Sequence, residues 1–157
     1  MLTLSDEDFL WFVDRALDQM VEIVRELGDE KANRRPPLPD ANSPYVILAH
    51  CLGVMEFWAG AMIAGRSIER DRPAEFVAHG PVDELIQRTV AARAQLTSDV
   101  SHMDSTAPPR TEPGGLGDQG TPLARSQGGS LVHLYEELSQ HLGQMELTRD
   151  LLVRPAD

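Results

Sequence analysis

The chain has 157 residues, enough for one domain with its own core, and its 41% apolar and 25% charged residues give the balance of a folded protein. Fourteen basic against twenty-five acidic side chains leave a net charge of −11, which repels nucleic-acid phosphates and anionic lipid and argues against both as partners. The single cysteine, Cys51, excludes an internal disulfide framework and a multi-cysteine zinc site.

The N-terminus reads Met1-Leu-Thr-Leu-Ser and then Asp6, Glu7 and Asp8, without the basic stretch of a secretory signal. No stretch approaches the roughly 20 apolar residues of a membrane span. The expectation is a single cytoplasmic domain over residues 1–157.

The first helix begins after Ser5, a good N-cap, with acids at the positive end of its dipole. Phe9, Phe12, Val13, Ala16, Leu17, Met20, Val24 and Leu27 step by three and four along one face, and Gly28 is a natural stop. Pro36, Pro37 and Pro39 make 29–40 a connector. The second helix opens at Asn42-Ser43-Pro44, a cap followed by proline in the first turn, and runs to about Ala64 before Gly65. It is apolar nearly all round, which predicts the most enclosed helix of the chain. Residues 66–81 form a polar, charged connector with Pro73 and Gly80.

A third helix follows Pro81 on Val82, Leu85, Ile86, Thr89, Val90 and Leu96, and fades near Asp99. Residues 101–130, with Pro108, Pro109, Pro113 and Pro122 and a run of glycines, read as a loop too long to be a plain connection. The fourth helix starts near Ser130, carries Leu131, Leu134, Leu138, Met145 and Leu152 at helical spacing, and is bounded by Pro155. Nothing alternates as a strand does. The fold class is all-α: a four-helix bundle with a long loop before the last helix.

Chemistry concentrates in a few residues. His79 and His102 fall in connectors and read as solvated. His50 sits mid-helix in an apolar segment, where each ring nitrogen needs a partner. In the last helix Glu137 and His141 are four residues apart and project from one side, so both can reach one ion at about 2.0–2.2 Å. A third ligand has to come from another helix, and His50 is the buried candidate. Three protein ligands leave a fourth position open, as in catalytic rather than structural zinc sites. A solvated salt-bridging face explains a Glu-x-x-x-His pair equally well. His133 and Glu137 make a competing frame, although His133 and His141 are separated by about 12 Å of helical rise and cannot easily share one ion.

Other residues near these positions carry less. Cys51 lies about 100° round the helix from His50 and reads as a small buried hydrophobe. Gly53, one turn from His50, would leave space beside an ion. Gln144 and Arg149 could orient a ligand, and Trp11, Phe12, Phe57 and Trp58 read as core and pocket wall.

Leu48-Ala-His50-Cys-Leu-Gly-Val, with Glu137-x-x-x-His141-Leu-Gly-Gln144 and Arg149-Asp150, resembles the DinB-like superfamily. More closely it is similar to the mycothiol-dependent branch, which holds the mycothiol S-transferases and the N-terminal domain of mycothiol-dependent maleylpyruvate isomerase. Leu4-Ser-Asp-Glu-Asp-Phe-Leu and Ser43-Pro-Tyr-Val-Ile-Leu-Ala-His50 add to the likeness to the S-transferases, and glutamate at 137 points to the mycothiol branch. The resemblance implies that His50, Glu137 and His141 hold Zn²⁺ or another divalent metal, with mycothiol as co-substrate. The implied activity is conjugation of the zinc-activated thiolate to small electrophiles, a detoxification chemistry. The thiol supplies the reactive atom, so no side chain is assigned as catalytic acid or base. The isomerases carry a second domain, so a chain ending at Asp157 favours the transferases. The alternatives are a mycothiol-dependent cis–trans isomerase and a non-catalytic metal- or thiol-binding stress protein. An acidic bundle with one very apolar helix could also form a homodimer.

Overall fold

The computed structural model describes residues 3–111 and 121–154. Helix α1 spans Asp6–Ala32, and the Ser5 hydroxyl accepts the Asp8 amide as expected of the cap. The chain does not stop at Gly28. That glycine takes φ 63° and ψ 175°, kinks the helix, and the helical turns resume to Ala32. Only a residue without a Cβ tolerates such a backbone at no cost, so the residue that reads as a stop acts as a bend.

Helix α2 spans Pro44–Met55, capped by Ser43, and runs directly into a π-helical stretch over Glu56–Ile63. The Ala64 amide donates to the Ala59 carbonyl five residues back, and the run ends before Gly65 at φ 73°. Every residue of α2 except Gly53 is buried, as its all-round apolar pattern predicts. By length and composition alone Pro44–Ile63 would be enough to cross a membrane, which corrects the reading that no stretch approaches one. Burial in the bundle explains its composition.

Helix α3 is a single turn, Arg72–Glu75, capped by Asp71 with Pro73 inside it. Helix α4 spans Val82–Val100, and its free N-terminal amide at Val82 is taken by Asp29 Oδ1 of α1 at 2.8 Å. The short α5, Pro122–Arg125, precedes α6, which covers Gln127–Val153. The last helix therefore starts three residues before Ser130, because Ser126 caps it by accepting the Gly129 amide.

α1 and the α2–π run form the middle of the bundle, each packing on both α4 and α6. Leu17, Met20, Leu48, Met62, Leu85, Leu134, Leu138 and Met145 fill the centre. The segment after α4 is laid against the body. The Arg110 amide donates to the Met62 carbonyl, Thr111 Oγ1 to the Ala61 carbonyl, and Gln127 is hydrogen-bonded to Ala107 and Pro108. The middle of the 101–130 loop, 112–120, lies outside the described residues. Trp58 is core, Phe57 half-buried, but Trp11 is 56% and Phe12 46% exposed. Those two pack edge to face with each other at the surface, which corrects their reading as core, while Trp11 still lines a shallow surface pocket with Asp14, Arg15 and Asp18.

Candidate metal centre

His50 meets a pair of side chains from the other end of the chain between α2 and α6. His50 comes from the middle of α2; Glu137 and His141 come from successive turns of α6. One donor atom from each lies within 4.8 Å of the other two, and the three could hold a metal ion. Glu137 Oε2 is 3.7 Å from His50 Nε2 and 3.5 Å from His141 Nε2.

These separations decide what the cluster suits. They exceed the 2.7–3.2 Å of an N–H···O hydrogen bond. They sit close to the roughly 3.3–3.5 Å edge of a tetrahedron with bonds of about 2.0–2.2 Å. The two remaining imidazole nitrogens are engaged elsewhere. His50 Nδ1 lies 2.7 Å from Glu75 Oε2, and His141 Nδ1 lies 2.9 Å from Gln144 Oε1. With Nδ1–H donated in each case, both Nε2 lone pairs turn toward Glu137, the arrangement of metal-binding histidines. The donor set fits a divalent ion such as zinc.

His50 is almost fully enclosed, whereas the side chains of Glu137 and His141 are 28% and 25% exposed, so the cluster is open toward solvent on the α6 side. Burial acts to raise the Glu75 carboxyl, but bonding to His50 and Arg70 outweighs it and holds it lower. His141, then His50, hold the Glu137 carboxyl well below the usual carboxylate range, against the effect of burial. For His50, burial acts to lower the pKa, but Glu137 and Glu75 together prevail and raise it. Burial and the nearby carboxylates push the Cys51 thiol far up, so it stays a neutral core residue, as its helical phase predicts.

His133, the competing frame, faces the other carboxylate oxygen: its Nε2 is 3.8 Å from Glu137 Oε1, its Nδ1 contacts Glu136, and Trp58 packs edge-on against its ring. His79 and His102 are exposed. Arg149 pairs with its neighbour Asp150. Gly53 does not leave an open space beside an ion. A Cβ there would overlap the Glu75 carboxylate, so the room is filled by a side chain from α3.

Glu75 is the residue that spacing alone does not reveal, because it comes from the charged 66–81 connector. The available signal is Asp71-Arg-Pro-Ala-Glu75, an Asx cap with an early proline, which marks a helical turn able to aim a side chain. A cavity of about 580 Å³ lies on the other side of Glu75, between α2, α4 and the 66–78 segment. Ala49, Leu52, Leu96 and the carboxylate of Glu75 help to line it; His50, Glu137 and His141 do not.

An all-α DinB-like bundle, with two imidazoles and one carboxylate converging between its second and last long helices, is the class this fold and cluster define. The chain belongs to the mycothiol-S-transferase family, whose model matches residues 8–153. It is also similar to a solved structure described as the conserved protein of a locus from Enterococcus faecalis. That match has a TM-score of 0.72 and 15% identity, and covers 97% of this chain and 99% of that one. At that identity the likeness speaks for the fold alone. No curated protein matches the chain.

Proposed function

We propose that this chain is a metal-dependent mycothiol S-transferase acting as a single domain, with His50, Glu137 and His141 as the ligands of a zinc ion. One observation carries the reading: three donors from two helices face a common point at separations too long for hydrogen bonds, with both Nδ1 atoms occupied from behind. Family membership names the thiol.

Bound there, a divalent cation supplies positive charge that favours the thiolate of the co-substrate, which is otherwise mostly protonated near its pKa of about 8.5. The chain's own part is positional. Glu75 and Gln144 hold the two imidazoles so that Nε2 of each faces the groove. Glu137 contributes a negative charge that, with two neutral imidazoles, leaves a net charge of about +1 on the centre, suited to an incoming anion. Beside the cluster, Trp58 of the π-helical run packs on the His133 ring. In the transfer itself the thiolate sulfur bonds to an electrophilic carbon, the leaving group departs with the bonding pair, and the thiol proton passes to solvent.

The test is a thiol-dependence assay with zinc, mycothiol and a bromobimane, together with metal analysis of untagged protein. The transferase reading expects turnover above the spontaneous rate, lost together with zinc in His141→Ala. A binding protein gives no rate above background; an isomerase gives thiol-dependent isomerisation without thiol consumption. Full activity in metal-free His141→Ala protein would remove the centre from the mechanism.

A further inference from the structure

The face of His50 turned away from the ion site is built by a separate part of the chain. Glu75 Oε2 lies 2.7 Å from His50 Nδ1, and both side chains are nearly enclosed, at 5% and 12% exposure. Arg70 grips the same carboxylate with two bonds, Nε to Oε1 at 2.7 Å and Nη2 to Oε2 at 2.9 Å. The Phe76 ring lies 5.0 Å from the His50 ring. Gly53, one turn beyond His50, is the gap that admits the carboxylate, since any Cβ there would collide with Oε1.

The geometry points to Glu75 as a positioning residue for the metal centre, seated by Arg70 and Gly53, that sets how tightly His50 holds the ion. This rests on the reading of His50, Glu137 and His141 as the ligands.

A carboxylate accepting Nδ1–H fixes the tautomer that leaves Nε2 free and makes that nitrogen a better donor; loss of such a partner typically costs about 10–100-fold in metal affinity. Arg70 occupies both oxygens of Glu75, so the carboxylate is kept as a support and does not swing round to become a ligand itself. Stability alone is a poor reason for the arrangement, because enclosed ion pairs often contribute little once desolvation is counted. Glu75, Arg70 and Phe76 come from one short segment bracketing a four-residue helix, and all three bear on His50 directly or through one another.

The experiment is a zinc titration of the whole protein against a chromogenic chelator, with the thermal midpoint of each metal-free variant measured alongside. Glu75→Ala is expected to weaken zinc binding by about 10–100-fold. Glu75→Gln, whose amide oxygen still accepts Nδ1–H, is expected to recover most of that loss. Gly53→Ala acts from a different helix and leaves Glu75 in place chemically, yet it is expected to reproduce the Glu75→Ala loss by pushing the carboxylate off His50. Zinc binding as tight as wild type in both Glu75→Ala and Gly53→Ala overturns the inference. So does a Glu75→Gln loss as large as that of Glu75→Ala that tracks a lowered metal-free midpoint, which assigns Glu75 a purely structural part. A wild-type protein that binds no zinc fails differently: it removes the ligand assignment itself.

Discussion

His50 Nε2 and Glu137 Oε2 face each other at 3.7 Å across the α2–α6 groove without closing to a hydrogen bond. Each is held by other partners, His50 by Glu75 from behind and Glu137 by its place on the α6 backbone one turn before His141. In water two such groups would close on each other or drift apart. Here the separation is built in, and a cation between them relieves the acidic field of the cluster. Glu137→Gln keeps the volume and removes the charge. It is expected to reduce bound zinc from about one per chain to a trace while the helical circular dichroism is unchanged. Elemental analysis of the purified variant decides it.

His133 offers the sharpest control. Its Nε2 faces Glu137 Oε1, whereas His50 and His141 face Oε2. Two histidines eight positions apart on a helix are separated by about 12 Å of rise, so one of the pair has to be excluded from the ion. His133→Ala is expected to retain zinc at wild-type stoichiometry where His141→Ala retains none. A metal-free His133→Ala protein would move the centre one turn along α6.

The ionisable groups predict opposite pH behaviour with and without the ion. Despite the opposing effect of burial, Glu137 and Glu75 raise His50 above its ordinary 6.5, so the folded chain binds that proton more tightly than the unfolded chain. The stability this contributes is fully present below pH 6.5 and is lost as pH rises through the raised folded value. Glu75 and Glu137, held below the ordinary 4.5, contribute stability above pH 4.5 and lose it as pH falls through their folded values. The His50–Glu75 attraction is one energy seen from both partners and counts once. Metal-free protein is therefore expected to be most stable on the acid side of neutrality and to decline toward alkaline pH. Zinc, which needs an unprotonated Nε2, reverses that decline. Thermal midpoints with zinc and with chelator should converge below pH 6.5 and separate above it, because zinc binding adds stability only where Nε2 is unprotonated; a separation independent of pH would contradict the assignment of His50 as a ligand.

Away from the centre, Arg66 binds Asp99 through two hydrogen bonds at 2.9 and 2.8 Å, and the Asp99 side chain is only 4% exposed. Removing the arginine leaves a nearly buried carboxylate that, among the described residues, keeps Gln95 as a side-chain donor. Arg66→Ala is expected to cost about 3 kcal/mol, seen as a lower urea midpoint with an unchanged slope. A loss below about 1 kcal/mol would mean that water replaces the guanidinium.

Leu134, one turn before Glu137 on α6, is fully buried in the bundle core. Leu134→Ala is expected to destabilise the fold by about 2–5 kcal/mol while leaving the zinc affinity of the folded protein within a few-fold of wild type. Equilibrium urea unfolding and the chelator titration separate the two effects.

The long helices and two of their three serine caps are plain in the sequence, because Ser5, Ser43 and the three-and-four apolar steps act locally. The same is true of His50, an ionisable side chain alone on an apolar helix, and of Glu137 with His141, whose spacing brings them together in any α-helix. What stays hidden depends on contacts between distant segments. Glu75 gains its meaning only when α3 folds over Gly53. The early start of α6 rests on Ser126 capping residues that composition alone marks as loop. Gly129 in that first turn lies where any Cβ would overlap the Pro122 carbonyl, so a helix-poor residue is required by packing. Gly28 is ambiguous for the same reason: stop and bend need the same φ, and only the packing of Leu27 and Ala32 chooses.

The wide turn from Glu56 to Ile63 alters the bookkeeping of direction along the second long helix. Bonds reaching back five residues instead of four add a residue per loop of backbone, so side chains beyond Met55 advance by a different angle from those before it. Trp58, within that stretch, packs on the His133 ring of the last helix. Deleting one residue in this stretch would let ordinary α-geometry return and would swing the indole out of register with the last helix, although no residue of the metal cluster had been touched.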